Sequence, residues 1–117
     1  MLILIAEDDE LILRTIEHKL VKDGHTVILT RNGKEAIERI QDSDIDLVVT
    51  DIMMPFASGI EILSAIRSFG KTIPVIVLSS MGQEEVVIDA FDLGAADFMV
   101  KPFSPNELLL RIKRLKS

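Results

Sequence analysis

The sequence contains no cysteine, tryptophan or tyrosine, and its 117 residues include no long hydrophobic run. The lack of cysteine excludes disulfides and thiolate metal sites, and a cytoplasmic location is the simplest expectation. Its apolar runs are far shorter than the about 20 residues that a membrane span requires. Residues 1–6 are apolar but lead directly into acidic residues without a basic region or a cleavage site, so they predict a first strand rather than a signal peptide.

Positive charge is also scarce, since 13 Lys and Arg residues are outnumbered by 19 Asp and Glu residues, which gives a net charge of −6 at pH 7. We therefore expect no direct binding to nucleic acid and no attraction to anionic membranes. The 48% of apolar and 27% of charged residues are typical of a compact globular protein. The length predicts a single domain over residues 1–117, which can bury roughly two-thirds of its unfolded surface.

Short apolar runs alternate with amphipathic helical patterns along the whole chain. Five such β-then-α units predict an α/β fold, with a parallel sheet covered by helices on both faces. The predicted strands are 2–6, 26–29, 46–50, 73–78 and 97–100. The predicted helices cover about 10–23, 33–40, 59–68 and 84–91, followed by a last helix from 105.

Two helix starts carry clear capping signals. Asp9 is typical of the residue that caps the first helix. At the last helix Ser104 occupies the capping position and Pro105 the first turn. Glu107 then stands where it would complete a capping box with Ser104.

Polar residues follow the apolar runs at the strand ends. They are Glu7, Asp8, Asp51, Ser79 and Lys101. Because parallel strands deliver their carboxyl ends to one crevice, we expect these side chains to lie together. Three carboxylates, one hydroxyl and one ammonium predict a site for a divalent cation and a phosphoryl group.

The predicted crevice cannot hold three ionised carboxylates without compensation. Two unit charges about 5 Å apart repel by roughly 3 kcal/mol at an effective dielectric constant near 20. Either one acid keeps a proton or a cation lies among them. Oxygen ligands without histidine or cysteine favour Mg²⁺, with Mn²⁺ as an alternative. A carboxylate can itself accept a phosphoryl group.

Four segments resemble the receiver domain of bacterial two-component response regulators. They read I-L-I-A-E-D-D at 3–9, L-V-V-T-D-I-M-M-P at 47–55, P-V-I-V-L-S-S at 74–80 and G-A-A-D-F-M-V-K-P-F-S at 94–104. The resemblance spans the chain from its first residue to the last helix. It implies a flavodoxin-like (βα)5 three-layer sandwich with strand order 2-1-3-4-5.

The resemblance also implies a role for each matching residue of the metal site. Asp51 would accept the phosphoryl group. Asp8 and Asp51 would bind Mg²⁺ directly, together with the backbone carbonyl of Met53. Glu7 would act on the cation through a water molecule.

The remaining residues that match the family would bind the phosphoryl group or change conformation in response to it. Lys101 would bind one of its oxygens, and the Lys101-Pro102 bond is expected to be cis. Ser79 and Phe98 would form the switch. The chain would then be a signalling domain that assists its own phosphorylation and dephosphorylation, rather than an enzyme, with a sensor histidine kinase or a phosphotransfer protein as its partner.

Output is expected through the face formed by the fourth helix, the fifth strand and the last helix, and a homodimer through this face is a further expectation. Asp97, Glu107 and Arg111 resemble the dimerising network of winged-helix transcription-factor receivers. Val87, however, stands where those proteins usually carry a basic residue.

Four positions depart from the commoner family pattern. Ser79 replaces threonine, and Phe98 replaces tyrosine and so lacks a hydroxyl for an inward hydrogen bond. Met53 and Met81 occupy two positions that usually tune the lifetime of the phosphoryl group. Because apolar side chains there would shield the group rather than position water, we expect slow autodephosphorylation.

Two other functions compete with a receiver domain. A Mg²⁺-dependent phosphohydrolase that forms an aspartyl phosphate would need two aspartates, two residues apart, where Glu7 and Asp9 stand. A flavin-binding module would need a phosphate loop rich in glycine and hydroxyl groups after the first strand. The acidic residues found there would repel a phosphate.

Overall fold

A parallel sheet with strand order β2-β1-β3-β4-β5 forms the centre of the molecule. The computed structural model describes residues 1–116. The strands are β1 (Leu2–Ala6), β2 (Thr26–Thr30), β3 (Leu47–Asp51), β4 (Val75–Ser79) and β5 (Asp97–Val100). The helices are α1 (Glu10–Lys22), α2 (Gly33–Asp42), α3 (Gly59–Ser68), α4 (Glu84–Asp92) and α5 (Pro105–Lys116). This architecture confirms the predicted fold and strand order. Within residues 1–116 no helix is long and apolar enough to cross a membrane.

The side chains of the central strands alternate between two hydrophobic clusters. One cluster packs Leu4 and Val48 against α2, α3 and α4, and the other packs Ile3 and Leu47 against α1 and α5. Every residue of β3 and β4 is buried. Such strands need apolar side chains on both faces, which explains their nearly continuous hydrophobic runs.

Three predicted strands, β2, β3 and β4, end one residue later than expected. β3 and β4 include Asp51 and Ser79 as their last residues, although the predicted strands stopped at 50 and 78. Parallel ladder bonds continue past both positions, because Ile52 N donates to Leu78 O at 2.9 Å and Lys101 N donates to Ser79 O at 2.7 Å. The backbones of the two polar residues are therefore held by the sheet.

The Asp9 and Ser104 helix caps were predicted correctly, but the capping box predicted at the last helix does not form. Asp9 Oδ1 accepts hydrogen bonds from the backbone N–H groups of residues 11 and 12. Ser104 Oγ accepts from Asn106 N at 3.2 Å, while the Glu107 side chain turns to Arg111 instead of closing a capping box. A capping box does occur at α3, between Ser58 and Glu61.

The segment between β3 and α3 is packed closely against the start of α2. A Cβ atom on Gly33 would lie 1.9 Å from the carbonyl oxygen and 2.5 Å from the carbonyl carbon of Ala57. In the same segment Phe56 adopts φ 69°, a left-handed conformation that is costly for a side chain of its size, and it is 83% exposed. Glycine at position 33 therefore lets this segment approach α2 directly.

We predict that Gly33→Ala destabilises the protein by about 1–3 kcal/mol, because the added methyl group cannot fit beside the Ala57 backbone. Urea unfolding followed by circular dichroism measures this change. The exposed neighbour Lys34 offers a matched control, and Lys34→Ala should shift stability by less than about 0.5 kcal/mol. Equal midpoints for wild type and Gly33→Ala would contradict the close packing.

Candidate functional site

Strand ends bring two carboxylates and one ammonium into direct contact. Glu7 follows β1 and Asp51 ends β3, and these strands are neighbours that pair Ala6 with Thr50. Lys101, just after β5, reaches both acids. Its Nζ lies 2.8 Å from Glu7 Oε2 and 2.7 Å from Asp51 Oδ2. The structure therefore brings these three predicted site residues together.

Glu7 is completely buried, and its two oxygens have different surroundings. Oε1 accepts a hydrogen bond from Asp9 N at 3.0 Å. Oε2 lies close to Lys101, but the approach is outside hydrogen-bond geometry and leaves Oε2 without a hydrogen-bond partner. Burial raises the pKa of Glu7 to about 7, and the charge of Asp51 adds to the rise, against the opposing effects of Lys101 and Asp9.

Lys101 carries the positive charge of the site. Its burial alone would lower the pKa of the ammonium, but the hydrogen bond to Asp51 and the ion pair with Glu7 outweigh burial and raise the pKa above its ordinary value. The ammonium therefore stays charged at neutral pH. One cation then faces more than one carboxylate, so negative charge remains in excess.

The excess negative charge and the geometry of the acids fit a small divalent cation. Glu7, Asp8 and Asp51 each offer an oxygen atom, and the three oxygens lie within 4.8 Å of one another. Asp8 is exposed while the other two are buried, so the group opens to solvent on one side. An oxygen-only donor set suits Mg²⁺, and the unpartnered Glu7 Oε2 is an acceptor that the cation or one of its waters would satisfy.

Exposed apolar residues follow Asp51 and Ser79 along the chain. Met53 N donates a 3.4 Å hydrogen bond to Asp51 Oδ1, which helps to orient the carboxylate. The side chains of Met53, Phe56 and Met81 are all exposed. Among the predicted residues of this region, only Ser79 contributes a hydroxyl, and it is buried at the end of β4.

Sequence reasoning missed one residue that shapes the loop after Ser79. Gln83 Oε1 accepts a 2.6 Å hydrogen bond from Ser80 N. Gln83 occupies the capping position of α4, yet its side chain makes no helix cap. A glutamine three residues beyond Ser80, the first residue after β4, was the available signal, and it is a weak one.

A groove of about 330 Å³ runs from Ser79 along α4 and β5. Phe98 lines it and packs edge-on against Phe91, with ring centroids 5.7 Å apart and planes at 90°. Phe98 is 36% exposed and lies in the groove. The predicted switch residues Ser79 and Phe98 therefore share one apolar groove.

Three predicted interface residues interact within a single chain. Arg111 Nη1 donates to Asp97 Oδ1 at 2.7 Å, and Arg111 Nη2 donates to Glu107 Oε1 at 3.1 Å. The hydrogen bond to Asp97 is the main cause that raises the pKa of Arg111. Val87, at the position expected to be basic in winged-helix receivers, is buried and lines the groove.

Comparison with known families supports one interpretation of this site. A family model described as response regulator receiver domain matches residues 3–113. Response regulator RR06 of Streptococcus pneumoniae is 44% identical over 117 residues, which are 100% of this chain and 52% of that protein. The transcriptional regulatory protein ResD of Bacillus subtilis is 37% identical over 113 residues, 97% of this chain and 47% of that protein. The chain thus spans about half the length of these curated relatives.

Solved structures show the same similarity in three dimensions. The receiver domain of the Francisella response regulator 1452 has a TM-score of 0.89 and 35% identity, covering 97% of this chain and 94% of that chain. The chemotaxis response regulator CheY4 of Vibrio cholerae has a TM-score of 0.88 and 30% identity, covering 97% of this chain and 96% of that chain.

The raised pKa of Glu7 predicts a pH-dependent stability. Because the folded chain binds this proton more tightly than the unfolded chain, the contribution is present below pH 4.5 and is lost as pH rises through about 7. In metal-free buffer we expect the free energy of unfolding to fall between pH 4.5 and about 7, and to fall less steeply in Glu7→Gln. Urea titrations at several pH values test this.

The exposed Asp44 provides a control, since Asp44→Asn should keep the slope of the wild type. Added Mg²⁺ should restore stability mainly at the alkaline end, where Glu7 has lost its proton. Identical slopes for wild type and Glu7→Gln would mean that Glu7 is ionised throughout this range.

Proposed function

Because this chain belongs to the response regulator receiver domain family of two-component signalling, we propose that Asp51 accepts a phosphoryl group in a Mg²⁺-dependent reaction. The donor is a sensor histidine kinase or a phosphotransfer protein. A carboxylate oxygen of Asp51 bonds to phosphorus while the bond from phosphorus to the donor imidazole nitrogen breaks. The observation that carries this proposal is the contact of Lys101 Nζ with both Asp51 and Glu7.

Residues around Asp51 have complementary tasks in this proposal. Met53 N–H orients Oδ1 of the acceptor. Lys101 binds an oxygen of the arriving phosphoryl group with the ammonium that contacts Asp51 Oδ2 before transfer. Glu7, Asp8, Asp51 and the Met53 carbonyl would hold Mg²⁺, with Glu7 acting through water. When bound, the cation neutralises charge on the phosphoryl oxygens.

The groove beside β4 links the position of the phosphoryl group to the surface of the domain, so that phosphorylation can change this surface. Ser79 Oγ would donate a hydrogen bond to a phosphoryl oxygen after transfer. A shift of Ser79 changes one end of the groove in which Phe98 packs against Phe91. Because Phe98 has no hydroxyl, the change passes to the α4–β5–α5 face through packing alone. This is a population shift biased by new charge and hydrogen bonds.

A second cavity supports docking of the phosphoryl donor. It has a volume of about 360 Å³ and lies between α1 and the segment after β5. Leu11, Ile12, Pro102 and Phe103 line it, and Lys101 forms one of its walls. A donor seated on this apolar surface would place its phosphohistidine beside the ammonium.

The α4–β5–α5 face is the proposed output surface and the proposed site of a homodimer. Arg111 already has both of its acidic partners within one chain, and Val87 offers no charge to a second copy. The contacts of such a dimer would therefore come mainly from the apolar groove.

The phosphohydrolase alternative finds little support in the geometry. Its two acids would stand at Glu7 and Asp9. Glu7 is buried against Lys101, and Asp9 is engaged in capping α1. Neither is placed as a free nucleophile or proton donor.

Acetyl phosphate delivers a phosphoryl group without a partner protein. With Mg²⁺ it should convert the wild type to a single phosphoryl adduct that intact mass spectrometry detects. Asp51→Asn should give no adduct, whereas the exposed-site variant Asp44→Asn should react as the wild type does. Repeated turnover of phosphate esters by the wild type would support the hydrolase instead. An adduct on Asp51→Asn would exclude Asp51 as the acceptor.

Met53 and Met81 should make the phosphoryl group long-lived, since neither can position an attacking water. We predict that Met53→Asn combined with Met81→Glu shortens the half-life of phosphorylated protein by about tenfold or more, because both new side chains can orient water. Loss of the adduct over time measures this rate. Met54→Leu, a nearby substitution of similar volume, serves as the control. An unchanged decay rate in the double variant would exclude this cause of slow hydrolysis.

A further inference from the structure

Two of the five methionines are exposed, one just after Asp51 and one just after Ser79, and the others are at least partly buried. Met53 is 53% exposed and Met81 is 85% exposed. Met99 is 1% exposed, while Met54 and Met1 are partly buried against the hydrophobic clusters. With no cysteine in the chain, thioether sulfur is its only oxidisable sulfur. An oxidant in solution therefore meets sulfur first at the edge of the site.

The two exposed methionines are placed differently relative to Asp51 and Ser79. Met53 donates its N–H to the Asp51 carboxylate, and Met81 lies two residues after Ser79 and lines the same groove. Phe56 is the other large exposed apolar side chain in the segment after β3. Exposed thioethers therefore stand two residues after Asp51 and two residues after Ser79.

We propose that Met53 and Met81 are a peroxide-sensitive modification site whose oxidation shortens the lifetime of the phosphoryl group on Asp51. The proposal rests on the proposed function of Asp51. In the modification, a thioether lone pair attacks one oxygen of a hydroperoxide. The O–O bond breaks as the S–O bond forms, and the second oxygen leaves as water or an alcohol after gaining a proton. Sulfur loses two electrons and the peroxide gains them.

Oxidation would turn two apolar side chains into strong hydrogen-bond acceptors near the position where the phosphoryl group is hydrolysed. A thioether sulfur is a weak hydrogen-bond acceptor that does not hold an ordered water, whereas a sulfoxide oxygen is a strong hydrogen-bond acceptor. A water bonded to that oxygen can be held near the phosphorus, which the apolar methionines do not allow. The modification is also reversible by methionine sulfoxide reductases, so it suits regulation.

The test treats purified protein with hydrogen peroxide, maps sulfoxides by peptide mass spectrometry and then removes the peroxide. Acetyl phosphate and Mg²⁺ load the oxidised and the untreated protein, and the decay of the adduct is followed by intact mass. We expect sulfoxides at 53 and 81 before 54 and 99. The half-life should shorten by about fivefold or more, the factor that one added hydrogen bond to the attacking water supplies.

Two controls separate this effect from general oxidative damage. The variant Met53→Leu/Met81→Leu keeps the side-chain volumes but cannot be oxidised at positions 53 and 81. Peroxide should therefore leave the half-life of its phosphoryl adduct unchanged. Methionine sulfoxide reductase should return the oxidised wild type to its untreated half-life. Indiscriminate oxidation of all methionines, or an unchanged half-life after oxidation at 53 and 81, would overturn the proposal. Untreated protein that takes up no phosphoryl group would instead refute the proposed function itself.

Discussion

The site depends on the imbalance between clustered carboxylates and a single ammonium. Glu7 and Asp51 are brought together by adjacent strands, and Lys101 is the cation that contacts both. Their repulsion in a partly buried crevice would cost several kcal/mol without compensation. Burial, with a smaller contribution from the charge of Asp51, raises the pKa of Glu7 although Lys101 opposes the rise, so Lys101 compensates only in part. The remaining demand for positive charge makes the site receptive to a divalent cation.

Much of the fold and the membership of the site could be predicted from the sequence because both depend on periodicity and order. The alternation of apolar runs and helical patterns predicted five parallel strands, and the polar residues at strand ends predicted the crevice. Parallel topology then forces those ends to one edge of the sheet. The cis Lys101-Pro102 bond, expected only from the family resemblance, is also present.

Features that depend on competition between neighbouring groups were not predictable. The capping box at Ser104 failed because Arg111 offers Glu107 a charged partner that a local motif does not reveal. The left-handed Phe56 gave no signal, since phenylalanine is not a residue associated with that conformation. Glu7 is buried while Asp8 is exposed, a difference set by tertiary packing, whereas the sequence shows only two adjacent acids.

The position of β1 in the middle of the sheet has a consequence for folding. Ile3 pairs with Val27 on one side and with Leu47 on the other, so the strands that pair with the two edges of β1 both lie far along the chain. Until β3 has formed, one edge of a buried, wholly apolar strand is open to pairing with other molecules. The strand arrangement that opens a crevice for phosphoryl chemistry thus makes early folding stages depend on distant contacts, which slows folding and favours aggregation.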